Sequence, residues 1–211
     1  MKIFCDLDGT LIDVSNRHYL VYSEMIHEFG GSPLSKDEYW QLKRQKIKWN
    51  KLLPMSGLKD GVEPAFLEGF IKKIEDPKYL ELDTLFPESL NALNTFLRIG
   101  QCYLVSLRRN RVNLLQEIER LDLSGHFTDV LTGHSENDGY DVKIALIKDR
   151  VQNDEALIVG DTEADIITGK ELGFKTFAVT SGIRDKQFLA DLKPDHLVKG
   201  IEEVAEILAR G

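Results

Sequence analysis

The sequence predicts an α/β fold: a doubly wound parallel sheet with a helical segment inserted after its first strand. Three observations carry this reading. Short apolar runs of β type alternate with helical stretches from about residue 85 onward, the pattern of parallel strands joined by crossover helices. The run 156–160 (ALIVG) is apolar throughout, as a strand buried on both faces requires. No convincing strand appears between about residues 14 and 82, so an all-helical block interrupts the alternation once, early.

Residues 2–6 read as the first strand, an apolar run ending in polar residues. The stretch 17–29 sets Tyr19, Leu20, Tyr22, Met25, Ile26 and Phe29 at helical spacing, and Gly30-Gly31 stops it. Two more helical stretches, about 35–53 and 62–75, flank the breaker MSGLKDG. Pro87 starts a helix over 88–98 that ends at Gly100. Strands are expected at 101–106, 129–132, 156–160, 175–179 and 195–198, with helices at 110–121, 141–152, 163–172 (stopped by Gly173) and 201–209. The domain reading is a core of 1–14 and 85–211 around a helical insert of 15–84.

The chain has 211 residues, enough to bury a sizeable core. Its 42% hydrophobic and 29% charged residues are those of a globular chain, not a disordered one. A formal net charge of −8 argues against nucleic acid, whose binding draws on basic phosphate contacts. No apolar run approaches the roughly 20 residues that span a bilayer, so no membrane partner is expected. The opening MKIFCDLDGT meets acidic residues at once, without a signal-peptide core. Cys5 and Cys102 lie inside apolar runs and read as buried, reduced thiols. Together these features point to the cytoplasm. Oligomeric state is left open.

In open α/β sheets ligands bind beyond the carboxyl ends of the strands, so the residues there are the candidates. After the first strand stands Asp6-Leu7-Asp8-Gly9-Thr10, where alternation puts the two carboxylates on one side and Gly9 permits a sharp turn. Close carboxylates repel and want a cation or a shared proton. An acidic turn is the competing reading. After 156–160 stands Gly160-Asp161-Thr162-Glu163-Ala164-Asp165. A Thr162–Asp165 cap explains Asp165 without any function but leaves Asp161 without a role. Ser106 ends another strand, where a hydroxyl and a free N–H can bind a phosphate oxygen or simply begin a turn. Lys143 opens the helix 141–152, with Lys148 as its rival.

Taken in order, DLDGT, Ser106, Lys143 and GDTEAD, flanked by LDGTLID and by SGI after residue 179, resemble the haloacid dehalogenase (HAD) superfamily, in its phosphoglycolate-phosphatase-like branch. The resemblance covers the whole chain. It implies a Rossmann-like core, and it makes the insert look like a small α-helical cap. It implies Asp6 as nucleophile, forming an aspartyl-phosphate, and Asp8 as general acid and then base. The superfamily's dehalogenases lack Asp at the Asp8 position, and its P-type ATPases carry Thr there. It implies Mg²⁺ held by Asp6, Asp161 and the Asp8 carbonyl, with Asp165 in support. Ser106 and Lys143 would hold phosphoryl oxygens, along with Gly9, Thr10 and Leu107 in the phosphate loop. Many relatives carry Asn where Leu107 stands, so a side-chain contact is lost there, and Arg108 is a candidate for leaving-group contacts.

The implied activity is a Mg²⁺-dependent phosphatase acting on a small phosphorylated metabolite. The alternatives are a sugar phosphomutase of the same fold, a phospho-acceptor receiver-like domain, and a non-catalytic regulatory module. Receivers are shorter and lack a helical insert. The basic segment 43–51 is the one dense positive patch, read mainly as a solvated helix face, with Arg44, Lys48 and Trp49 as positions to test.

Overall fold

The computed structural model describes residues 1–135, 139–151 and 154–210. In chain order the elements are β1 (Lys2–Cys5), β2 (Ile12–Asp13), α1 (Ser15–Glu28), α2 (Lys36–Arg44), α3 (Trp49–Met55), α4 (Glu63–Ile74), α5 (Pro77–Leu80), β3 (Thr84–Leu85), α6 (Ser89–Ile99) and β4 (Gln101–Ser106). They continue with α7 (Arg111–Arg120), β5 (Asp129–Thr132), α8 (Tyr140–Ile147), β6 (Ala156–Gly160), α9 (Glu163–Leu172), β7 (Lys175–Val179), α10 (Lys186–Asp191), β8 (His196–Val198) and α11 (Ile201–Arg210). The residues group into two compact units, Met1–Asp13 with Thr84–Gly211, and Val14–Asp83.

The first unit is built on six strands in the order β5-β4-β1-β6-β7-β8, with every neighbouring pair parallel. This is the doubly wound sheet that the alternation predicts. The chain moves outward from β1 on one side through β4 and β5, then on the other through β6, β7 and β8. The reversal therefore falls at β1, where a ligand crevice opens in such sheets. Burial follows from position: Ile3, Phe4 and Cys5 are fully buried, and β6 is buried along its whole length. Phe4 stacks on Tyr103 and Phe174, with ring centroids at 5.1 and 5.7 Å. Cys5 pairs with Leu104 on one side and Val159 on the other. Asp6, Ser106 and Asp161 consequently emerge at the same end of three adjacent strands.

The second unit is helical and has its own core of Val21, Tyr22, Met25, Ile26, Tyr39, Leu52, Leu53, Phe66 and Phe70. Trp49 packs on Phe66 and Phe70 at 5.2 Å each, so it serves this core. Arg17 and Asp83, near the two ends of the unit, form a buried ion pair at 3.0 Å.

Several local features differ from expectation. The helix predicted over 35–53 is two helices, α2 and α3. Lys46 adopts a left-handed conformation (φ 55°), and the N–H groups of Lys46 and Ile47 bond back to the carbonyls of Lys43 and Leu42. That double closure is a Schellman stop made with lysine where glycine is usual. The two-residue strands β2 and β3 pair antiparallel, Ile12 with Leu85 and Asp13 with Thr84. This pairing draws Thr84 into the first unit, so the division falls at 13/14 and 83/84 and not at 14/15 and 84/85. Helices α5 and α10 lay outside the expected elements. The expected helix 141–152 ends at Ile147, followed by a 3-10 turn over Lys148–Arg150, and its last residue, 152, lies outside the described residues.

Candidate active site

Asp6 follows β1 and extends its ladder, its N–H donating to the Val159 carbonyl at 2.9 Å. The chain then turns sharply. The Leu7 carbonyl accepts from the N–H groups of Thr10, Leu11 and Ile12, and Gly9 sits at φ +82°. A Cβ on Gly9 would collide with the Asp161 carboxylate, and so would one on Gly182. The 9–10 turn and the loop after β7 therefore close on Asp161 from two sides, and only glycine leaves room. Ile183 donates its N–H to Asp161 at 2.5 Å, and Ser181 donates its hydroxyl to the Gly9 carbonyl at 3.2 Å.

Three carboxylates converge here: Asp6, Asp161 and Asp165 each offer an oxygen within 4.8 Å of the others, and all three are buried. Lys143, itself 1% exposed, reaches them from α8, donating to Asp6 at 2.6 Å and to Asp165 at 2.5 Å. Asp165 forms the expected cap and also reaches Lys143. One oxygen caps α9, accepting from the Thr162 N–H at 3.1 Å and hydroxyl at 2.8 Å, while the other binds Lys143. The rival Lys148 is exposed.

The electrostatics are those of an overfilled acidic site. Burial pushes Asp6 up to about 7; Lys143 opposes this, and neighbouring Asp165 and Asp8 add to it. Burial, with the charges of Asp6 and Asp165, lifts Asp161 well above the ordinary carboxylate range, against the pull of the Ile183 N–H. Burial disfavours the Lys143 ammonium, but Asp165 and Asp6 outweigh it and hold its pKa above the usual lysine value. Three buried carboxylates against one ammonium leave negative charge uncompensated. An all-oxygen donor set of this kind suits a hard divalent cation.

The remaining expected residues surround this cluster. Asp8 turns its carboxylate to Arg108, which grips it through Nε at 2.7 Å and a terminal nitrogen at 2.6 Å. Asp8 therefore adds no side-chain oxygen to the three-carboxylate group. Ser106 is buried and its Oγ accepts the Arg108 N–H at 3.3 Å. Thr10 is fully buried, its hydroxyl a long 3.5 Å from Asp161. Leu107 lies against Gly139, the residue capping α8, so it fills space at the base of the helix that carries Lys143.

Sequence reasoning missed several supporting residues. Glu163 takes a two-pronged grip from Arg184 at 2.7 and 2.9 Å, tying the 181–184 loop to the start of α9. SGI was the only sign of that loop. Glu117 is buried on α7 and pairs with Arg108 at 2.9 Å. No local signal marks it, since its burial depends on a partner nine residues away.

Residues 3–179 match the family model of the haloacid dehalogenase-like hydrolases, and the chain belongs to that family of enzymes. It is similar to pyrophosphatase PpaX of Oceanobacillus iheyensis, 22% identical over 213 residues, covering 98% of this chain and 95% of that protein. A phosphoglycolate phosphatase of Aquifex aeolicus is 29% identical over 184 residues, covering 82% of each. Among solved structures, a haloacid dehalogenase-like family hydrolase of Streptococcus pneumoniae superimposes with a TM-score of 0.75 at 20% identity, covering 98% of this chain and 97% of that one.

Proposed function

We propose that the protein is a Mg²⁺-dependent phosphatase that hydrolyses a small phosphate monoester through an aspartyl-phosphate on Asp6. The observation that carries this is the Asp6 carboxylate, set at a strand end with one oxygen bound to Lys143 and with Asp161 and Asp165 beside it. The relatives named as a pyrophosphatase and a phosphoglycolate phosphatase support the same class.

The chemistry follows from the residues. Lys143 engages Oδ1 of Asp6, leaving Oδ2 to attack phosphorus. As the phosphorus–oxygen ester bond breaks, Asp8 in its protonated form gives that proton to the departing oxygen and is left as the carboxylate that Arg108 grips. The same carboxylate then takes a proton from the water that attacks phosphorus and releases Asp6, steps worth roughly 10²–10⁴-fold. Ser106 and Lys143 present an O–H and an N–H to the phosphoryl oxygens, where charge spreads during transfer. Asp6, Asp161 and Asp165 would hold the cation, which supplies charge neutralisation at those oxygens. Residues 14–83 would act as the cap that selects the substrate, a small phosphorylated metabolite, in the cytoplasm.

The test is hydrolysis of an aryl phosphate with Mg²⁺, with EDTA, and by Asp6→Asn. Activity lost under both treatments is expected; activity indifferent to either would refute the proposal. A panel of phosphorylated metabolites, including pyrophosphate and phosphoglycolate, then ranks substrates. Release of free phosphate, and not its transfer within a sugar, separates the phosphatase from a phosphomutase.

A further inference from the structure

We propose that Arg108 and Glu117 form a positioning pair that fixes Asp8 for proton delivery to the leaving group; the idea rests on the phosphatase reading above.

Three observations point to it. Arg108 binds Asp8 in the parallel two-bond arrangement, which fixes the plane as well as the place of a carboxylate. Its remaining terminal nitrogen lies 2.9 Å from Glu117. The Arg108 side chain is 4% exposed and that of Glu117 is 1% exposed, whereas that of Asp8 is 21% exposed. The chain of charges thus runs from a buried anchor outward to the one carboxylate that reaches open space. Arg120 adds a longer ion-pair contact to Glu117 at 3.6 Å, and both Glu117 oxygens are held by charge and not by hydrogen bonds among the described residues.

Burying an arginine and a glutamate is costly unless both are paired, and an apolar pair of the same volume would often be as stable. Stability alone does not account for placing the pair against Asp8. The guanidinium of Arg108 is turned to these two carboxylates. Arg108 is accordingly a positioning residue that acts through Asp8. A free Asp8 side chain would rotate among its staggered wells, and proton transfer demands hydrogen-bond reach of the ester oxygen.

This role predicts a leaving-group signature. A p-nitrophenyl group departs as a stable anion and needs little protonation, whereas an alkoxide must be protonated as the phosphorus–oxygen bond breaks. Only the second depends on a well-placed Asp8. The value of kcat/KM reports the steps through departure of the leaving group, whatever limits later turnover.

The experiment measures kcat/KM for p-nitrophenyl phosphate and for a simple alkyl phosphate with Mg²⁺, for the native enzyme, Arg108→Met, Arg108→Lys and Glu117→Gln. The expected result is a loss on the alkyl substrate about tenfold greater than on the aryl one in Arg108→Met. Arg108→Lys should restore part of it, and Glu117→Gln should show the same bias more weakly. Glu117→Gln keeps the shape and an acceptor, so it carries the test if Arg108→Met fails to fold. Equal losses on both substrates, in variants with native thermal unfolding, would overturn the positioning role alone. A native enzyme that cleaves neither ester would overturn the phosphatase reading, and this proposal with it.

Discussion

The ammonium of Lys143 stands 2.5 Å from Asp165, with both side chains 2% exposed. Lys143 is the cation that lets three buried carboxylates share one strand-end crevice, because it spans Asp165 and Asp6 together.

Replacing it by methionine should cost about 3–5 kcal/mol in the metal-free protein, the usual result of stranding a buried charge. Magnesium should recover part of that loss by neutralising the same oxygens. Thermal unfolding of Lys143→Met in EDTA and in Mg²⁺ checks both statements. A variant as stable as the native protein in EDTA would contradict them.

Divalent cation should stabilise the native protein, by about 2.7 kcal/mol at a hundredfold excess over Kd. Asp161→Asn should abolish this increment while raising or preserving stability in EDTA, since it removes one of the crowded carboxylates. The measurement is a Tm titration against Mg²⁺ for both proteins. A retained increment in Asp161→Asn would remove Asp161 from the cation site.

Tyr39 offers a test in the helical unit. It is fully buried and stacked on Tyr22 at 4.1 Å, yet its hydroxyl has no hydrogen-bond partner among the described residues. Burial also raises its pKa, as expected for a phenol withdrawn from water. An unpaired buried hydroxyl is a cost, so Tyr39→Phe should be neutral or stabilising by about 1 kcal/mol. Denaturant unfolding decides it, and a destabilisation of that size would show that the hydroxyl is satisfied in solution.

A pH test lies at the edge of the sheet. Asp195 accepts from the backbone N–H of Thr176 at 2.8 Å and its hydroxyl at 2.7 Å, and these bonds lower its pKa from 3.8. A depressed carboxylate stabilises the fold above its unfolded value and loses that contribution as pH falls through the folded one. The Tm gap between the native protein and Asp195→Asn should therefore be full at neutral pH and close below about pH 3.8. A gap that is independent of pH would assign the effect to shape and not to charge.

The architecture was legible because parallel strands buried on both faces write themselves as apolar runs such as 156–160. Asp6 and Asp161 were legible because each directly follows such a run, and tertiary pairing then aligned the runs. Lys143 was marked only by resemblance; nothing in its neighbourhood separates it from Lys148, and burial alone tells them apart. The break at Lys46 carries no local sign, since lysine is an unusual occupant of a left-handed stop. Glu117 and the Arg184–Glu163 clamp depend on partners brought together by the sheet, so local periodicity says nothing of them.

Asp13 and Thr84 face each other across the short β2–β3 ladder, so the chain leaves the sheet-bearing unit and returns to it at one point. Closing a loop costs an entropy that grows only slowly with its length. The six-strand order is therefore indifferent to how much chain hangs from that doorway. Residues 14–83 are interchangeable in principle with a shorter turn or a larger domain, while Asp6, Lys143 and Asp161 keep their places on the sheet.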